Sequence, residues 1–398
     1  MKPLAEAMFE AYFEARRNKR NTINALKFET HFEREVLALS EEIEQDRYQL
    51  SRSICFLVHD PVIREVFAAD FRDRVVHHFV IQKINPLFEK TFLPDSYACR
   101  KNKGTHYGVR RVSNHILKCS KQYTKPSYIL KLDIQGFFMN IPRPLLWEKL
   151  NTFLQEKYHE PDKEKILRIL HLIVHHDSSK NCLIKGDRRE WKKVPANKSL
   201  FTTAPHCGLP IGNLTSQILA NFYLNELDHF ILKKIAPEGY YGRYVDDFVI
   251  VHPNHDFLKA LRVEIEEFLK TNLKLTLHPK KIYLQPYQKG VRFLGTVIKP
   301  WRIYVQKRLA GRFRYKLRRW MSTYPEWRQE EEQCKRFIAC LHSYLGMLKH
   351  YKTFRMVENI IEQEIIPVLK HDHELLFKTE LRYWFLHLEK KRKSRYKN

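Results

Sequence analysis

Two short apolar runs, each ending in acid, constrain this chain more than any other feature. The first is Tyr128-Ile-Leu-Lys-Leu-Asp-Ile-Gln-Gly-Phe-Phe138, with Asp133 where the run stops. The second is Gly242-Arg-Tyr-Val-Asp-Asp-Phe-Val-Ile-Val251, which carries Asp246 and Asp247. Runs rich in Ile, Leu and Val read as buried strands, so the carboxylates fall at strand ends or in turns. A carboxylate held there costs desolvation and repulsion unless a cation accompanies it. Three carboxylates converging on hard divalent ions is the arrangement that in-line phosphoryl transfer uses. Asp-Asp alone is also an ordinary polar hairpin turn. Strand on both sides, together with Asp133, favours the chemical reading.

Between the two runs lies Cys207-Gly-Leu-Pro-Ile-Gly-Asn-Leu-Thr-Ser-Gln-Ile-Leu-Ala-Asn-Phe-Tyr-Leu224, a Gly/Pro/Asn turn feeding an apolar helix. Gly208 and Gly212 would let backbone approach a ligand closely, and Thr215 or Ser216 can cap the helix. Taken in order from about Asp70 to His350, these segments resemble the reverse transcriptases. The resemblance implies an α/β right-hand polymerase with fingers, a palm built on an antiparallel sheet, and a helical thumb. It implies that Asp133 and Asp246 bridge two Mg²⁺ ions (Mn²⁺ being a substitute), with Ile134 lending its carbonyl and Asp247 supporting. Arg100 and Lys103 would contact the triphosphate, and Lys281 the leaving pyrophosphate. Gln135, Gly136, Phe137, Phe138, Ile211 and Gly212 would line the dNTP site, with Phe138 under the sugar to exclude a 2′-hydroxyl. Gln217, the Phe293-Leu294-Gly295 primer grip and the cations Lys307, Arg308 and Arg312 would touch template and primer.

Most of the family has Gln where this chain has Ile211 and Pro where it has Gln217. The form found here is similar to that of diversity-generating retroelements, relatives of group II intron and retron enzymes. That similarity implies error-prone copying of RNA at adenine, and a small basic pentameric accessory protein. It also implies work in the cytoplasm of a prokaryotic cell. A retron-like or defence-associated enzyme and a non-catalytic RNA-binding scaffold are the alternative readings. No segment resembles an RNase H or an His-Asn-His nuclease.

Charge agrees with a polyanionic partner: Lys and Arg number 71 against 45 acids, a net charge of +26. No apolar stretch approaches membrane-spanning length and the N-terminus lacks an apolar signal core, so no membrane partner is expected. Seven cysteines without a Cys-x-x-Cys read as reduced thiols. The histidine pairs, such as His77-His78 and His175-His176, lack partners at zinc-ligand spacing and read as structural.

Three divisions are expected: an N-terminal helical extension over 1–50, fingers and palm over 51–305, and thumb with a basic tail over 306–398. Residues 1–50 read as two helices, interrupted by Arg16-Arg-Asn-Lys-Arg20, a phosphate contact or a solvated turn. Arg/Lys/Gly-rich Asp95–Val109 leads into a helix, where loop cations beside a helix start suit a triphosphate, or are solvated. Asn181–Ser199, with Lys and Arg around Trp191, reads as an inserted hairpin or loop that touches phosphates or solvent. From Gln306 onward, Lys307, Arg308, Arg312, Arg314, Lys316, Arg318 and Arg319 occur without one acid among them. The end of the chain carries Lys390-Lys-Arg-Lys, an RNA contact or a frayed tail.

Overall fold

In a computed structural model, the structure describes residues 3–17, 22–60, 62–377, 379 and 381–395. Most of the Arg16–Arg20 run and the side chains from residue 389 onward lie outside the described residues. The described chain is mixed α/β with an antiparallel central sheet, the class expected. It divides into two compact units: residues 1–104 with 128–284, and residues 105–127 with 285–398. The expected boundary at 305/306 therefore falls inside the second unit, and residues 105–127 leave the first.

The first unit is built around one core. Three helices, not two, fill residues 1–50: Leu4–Arg16, Ile23–Glu29 and Phe32–Glu44. Tyr12 stacks on Phe28 and Phe32, and Val36, Leu39 and Ile43 recur on one buried face. These residues share their core with helix Phe71–Thr91 and with the central sheet. Strands β1 (Ser53–Val58) and β2 (Arg64–Ala68) form an antiparallel hairpin. Strand β3 (Tyr128–Asp133) belongs to the central sheet, and β4 (Cys182–Lys185) pairs in parallel with β1. The basic segment 181–199 is therefore not a hairpin; β4 and two 3₁₀ turns occupy it. Buried Glu65 anchors it, accepting hydrogen bonds from Trp191 Nε1, Ser199 Oγ and Leu200 N.

Strands β5 (Tyr240–Tyr244) and β6 (Asp247–His252) form the hairpin of the second acidic run. With β7 (Tyr283–Pro286) they complete a four-stranded sheet ordered β5-β6-β3-β7. Strand β6 is buried over most of its length, which is why it reads as continuous Phe-Val-Ile-Val rather than alternating. Helix Leu214–Ile235 is buried along most of its length and crosses this core. Its N-cap is Asn213, whose side chain accepts from Ala69 N instead of capping; Thr215 and Ser216 lie buried in the first turn.

The second unit joins helix Thr105–Cys119 to a three-stranded meander of β8 (Val291–Phe293), β9 (Thr296–Lys299) and β10 (Arg302–Val305). A helical core follows, in which Phe313, Leu317 and Met321 of helix Lys307–Ser322 pack with Phe337, Leu341 and Ile361. Among the described residues, no helix is long and apolar enough to cross a membrane.

Candidate active site

Antiparallel register brings the two acidic runs together: Asp133 at the end of β3 is the direct partner of Asp247 at the start of β6. Val245 and Asp246 form the two-residue tip between β5 and β6. Val245 adopts φ +57°, a left-handed conformation that is costly for a β-branched residue. Strain of this kind persists where surrounding structure over-determines it, commonly at functional sites. Two backbone bonds fix the tip and the end of β3. Ile134 N donates to Asp246 O at 3.2 Å, and His278 N to Asp133 O at 2.8 Å.

Burial, with the charge of Asp133 behind it, pushes the Asp246 carboxyl up to about 6. Burial also lifts Asp247 to about 6; Lys131 opposes the rise, while Asp133 and Asp246 add to it. Lys281 Nζ lies 2.9 and 2.8 Å from the two oxygens of Asp133. An ammonium held by both oxygens of a carboxylate stands in for a cation at that point. Lys131 Nζ lies 3.0 Å from Asp247 Oδ1. Among the described residues, no three His, Cys, Asp or Glu side chains gather closely enough to hold one ion. Of the three carboxylates expected to converge, Asp133 acts on both Asp246 and Asp247, and Asp247 is also engaged by Lys131. Hard carboxylate oxygens in mutual repulsion, with one already holding a cation, suit a divalent ion of the Mg²⁺ type.

The dNTP-site residues are partly brought to this point. Gly136, at φ +53°, turns the chain from β3 into the short helix Phe137–Asn140, and a Cβ there would sit 2.9 Å from Asn197 O. Gln135 N donates to Thr276 O, tying the turn down. Phe137 is core, whereas Phe138 is half-buried. Ile211 is half-buried beside Cys55, Phe67, Met139 and Leu200, and its carbonyl accepts from Phe67 N at 2.8 Å. The close approach made by Gly212 is to the protein itself: a Cβ would lie 2.8 Å from Val66 and 2.9 Å from Phe67 O. Gly208 likewise meets Leu200, not open ligand space. Gln217 is exposed on the first turns of its helix and accepts from Cys99 Sγ.

Arg100 is a correction. Its guanidinium forks onto Glu89 at 2.7–3.0 Å and donates to Leu93 O and Ser96 O; only 5% of the side chain is exposed. It braces the loop and does not face a triphosphate. Lys103 also folds back, its Nζ donating to Pro94 O. A cation that the sequence reading missed is Arg64, exposed on β2 and close enough to lower the Asp246 carboxyl. Arg243, within the second acidic run, is another residue that the sequence reading does not single out. It is wholly buried, paired with Asp228, and donates to Val245 O at 3.0 Å. A charged residue inside an apolar strand run needs a buried partner, and that was the available signal.

In the second unit, Leu294 and Gly295 both adopt positive φ at the β8–β9 turn, as a two-residue hairpin of this twist requires. The tip Leu294-Gly295 is accessible, but Phe293 points into the core at 1% exposure. Lys307 and Arg308 open the next helix and are exposed; Arg312 is half-buried. Two cations at a helix start oppose the helix dipole, an arrangement that suits a phosphate-facing surface. Arg314 and Arg318 are instead tied to Glu364, so the basic run is not one uniform face.

Residues 63–298 match the family model described as Reverse transcriptase (RNA-dependent DNA polymerase). This chain belongs to the reverse transcriptase family. It is 22% identical over 363 residues to Protein YkfC of Escherichia coli, covering 82% of this chain and 84% of that protein. It is 21% identical over 286 residues to the Putative COX1/OXI3 intron 2 protein of Saccharomyces cerevisiae, covering 58% of this chain but 30% of that protein. Similar solved structures include telomerase from Candida albicans in complex with a TWJ fragment of telomeric RNA. That match has 11% identity and a TM-score of 0.47, over 90% of this chain and 68% of the other. Apo telomerase from Candida tropicalis, truncated from the C-terminal domain, gives 14% identity and a TM-score of 0.44, over 68% of this chain and 59% of the other.

Proposed function

We propose that this reverse transcriptase family member is an active RNA-directed DNA polymerase, adding deoxynucleotides to a primer 3′-hydroxyl on an RNA template. The observation that carries the reading is the meeting of the two acidic runs at one end of the sheet, where Asp133 pairs with Asp247 and burial, then the charge of Asp133, raises the Asp246 carboxyl. Those carboxylates, with the Ile134 carbonyl, would hold Mg²⁺, or Mn²⁺ in its place. The ions supply charge stabilisation to the attacking and leaving oxygens. The chain itself positions the reactants, and Arg64 and Lys281 take the triphosphate charge that Arg100 was expected to meet. The first unit serves as fingers and palm, the second as thumb. Primer extension by the purified chain on primed RNA tests the reading; no incorporation with any divalent ion would reject it.

The pH behaviour follows from the same carboxylates. Asp246 and Asp247 have folded values of about 6 against an ordinary 3.8, so folding penalises their ionised forms. Between those values the folded chain binds more protons than the unfolded one, and cation-free stability declines as pH rises toward about 6. A bound divalent ion offsets that loss. Mg²⁺ at about 100 times its Kd should add about 2.7 kcal/mol at pH 8, and far less at pH 5. Melting curves with and without Mg²⁺ at the two pH values check this; an equal shift at both would detach the ion from these carboxylates.

We further propose copying of the diversity-generating kind, with low fidelity at template adenine and a small basic accessory protein as partner. Ile211 supports it: a branched apolar side chain gives a templating nucleotide contact without a directional bond. Each 1.4 kcal/mol or so of lost discrimination is tenfold in error rate. Sequencing cDNA from the cognate RNA tests this, and an error spectrum flat across the four bases would reject it. Phe138→Ala should raise ribonucleotide use relative to deoxynucleotides by about 10- to 200-fold, the range that a pocket contact commands. Competing rNTP and dNTP incorporation measures it.

A further inference from the structure

One face of the β10-β9-β8 sheet in the second unit is basic and open. Register sets Lys299 directly opposite Arg302, and Val297 opposite both Tyr304 and Arg292. Directly paired residues share a face, so Arg292, Lys299, Arg302 and Tyr304 lie together, all exposed. Phe293 and Ile298 fill the opposite, buried face. The Arg302 guanidinium sits 5.2 Å from the Tyr304 ring centre. Like charges placed directly across a strand pair are unfavourable. No acid occurs between Glu267 and Glu326, nor between Asp95 and Asp133, so no local acid in either stretch relieves Lys299 and Arg302.

The turn beside this face is also built at a cost. Pro300 and Trp301 join β9 to β10, with Trp301 at φ +62°. A Pro-led turn with positive φ at its next position normally takes Gly or Asn there. Trp301 is nonetheless present and 73% exposed. Its only described ring neighbour is Tyr123, 4.7 Å away and edge-on, which leaves most of the indole uncovered. Tyr123 ends a run of three left-handed residues: Lys121 at φ +46°, Gln122 at +60° and Tyr123 at +67°. Ser120 holds that run, its carbonyl accepting from Thr124 N and Lys125 N and its hydroxyl from Tyr123 N. Buried Tyr287 stacks on Tyr123 at 5.6 Å and donates to its carbonyl. Exposed Lys121 and Lys125 flank it.

We propose that Trp301 and Tyr304, with Lys121, Lys125, Lys299 and Arg302, form a docking platform for an unpaired stretch of the template RNA. This rests on the polymerase reading for the identity of the strand. Unpaired bases offer π-faces to exposed rings while phosphates meet cations. A duplex hides its base faces, so the platform selects single strand. The tip expected as primer grip, Leu294-Gly295, lies at the opposite end of β9, so the two surfaces are separate.

The test uses the full chain and a labelled unstructured RNA of about 12 nucleotides, within the site sizes single-strand grooves cover. A blunt RNA duplex of equal length and a single-stranded DNA of the same sequence are titrated alongside. Trp301→Ala and Trp301→Gly should each weaken single-stranded RNA binding about tenfold, the loss of one base stack. Trp301→Phe should keep most of the affinity, and duplex binding should not change. Trp301→Gly should melt no lower than the parent, because glycine accepts this φ without strain. Unchanged RNA affinity in the Ala and Gly variants overturns the platform, as does equal loss on duplex. Tighter binding of the DNA overturns the RNA assignment. A parent that shows this binding pattern but extends no primer would sink the polymerase reading and leave the platform standing. A parent that extends primers while its Trp301 variants bind RNA as it does would sink the platform alone.

Discussion

Asp246→Ala or Asp133→Ala should reduce primer extension on the order of 10³-fold or more, since each removes an anchor for the charge that stabilises phosphoryl transfer. RNA affinity should survive, because it comes mainly from Lys and Arg contacts to phosphate, and the chain carries 71 of those residues. Removing Asp246 also removes a buried, repelled carboxylate, so the variant should fold at least as well as the parent in the absence of metal. Asp247→Ala should be milder. That carboxylate is engaged by Lys131 at 3.0 Å, so its loss frees a lysine and leaves Asp133 and Asp246 in place. Extension kinetics beside a filter-binding curve separate the two effects. Residual synthesis within about tenfold of the parent in Asp246→Ala would move the chemistry elsewhere, since the loss of even one preorganised stabilising group costs more than that.

The parts of this site that could be read in the sequence are those fixed by local pattern. Strands β3 and β6 are short apolar runs with acids at or beside their ends, which marks Asp133, Asp246 and Asp247 as strand-end or turn residues; the antiparallel register then brings them to one edge. The helices of the first unit are legible for the same reason, as stripes repeating every three to four residues. What failed was everything decided by a distant partner. Strand β4 has four residues of alternating half-exposure inside a basic segment, and it becomes a strand only because β1 lies beside it. Arg100 sits in an Arg/Lys/Gly loop that looks solvated, and nothing local shows its guanidinium forking onto Glu89. Gly208 and Gly212 read as points of close approach to a ligand, but the group each approaches is the protein itself. Residues 105–127 follow the first unit in sequence, yet Tyr123 stacks on Tyr287 and is bonded to it.

Asp228→Ala should be the most destabilising single change near the site, by roughly 3–5 kcal/mol, because it strands a buried arginine. Both partners of the Asp228–Arg243 pair are fully buried. Arg243 Nε donates to Asp228 Oδ1 at 2.6 Å, and the Tyr241 hydroxyl donates to the same oxygen at 2.6 Å. Further donations run to Asn221 Oδ1, Ser96 Oγ and the carbonyl of Val245. Remove the carboxylate and a guanidinium remains with no compensating charge, while the Tyr241 hydroxyl loses its acceptor. The carbonyl contact links this cluster to catalysis, since Val245 is the strained residue directly before Asp246. A double variant, Asp228→Leu with Arg243→Met, replaces the pair by apolar groups of similar volume and should recover most of the stability, as such replacements often do. It should not recover primer extension, because Val245 O has lost its donor and nothing else described holds the tip at that carbonyl. Denaturant midpoints and extension rates for the parent, both single variants and the double give the comparison. If the double variant regains stability and activity together, Arg243 is a fold element only; stability without activity makes it the residue that positions Asp246.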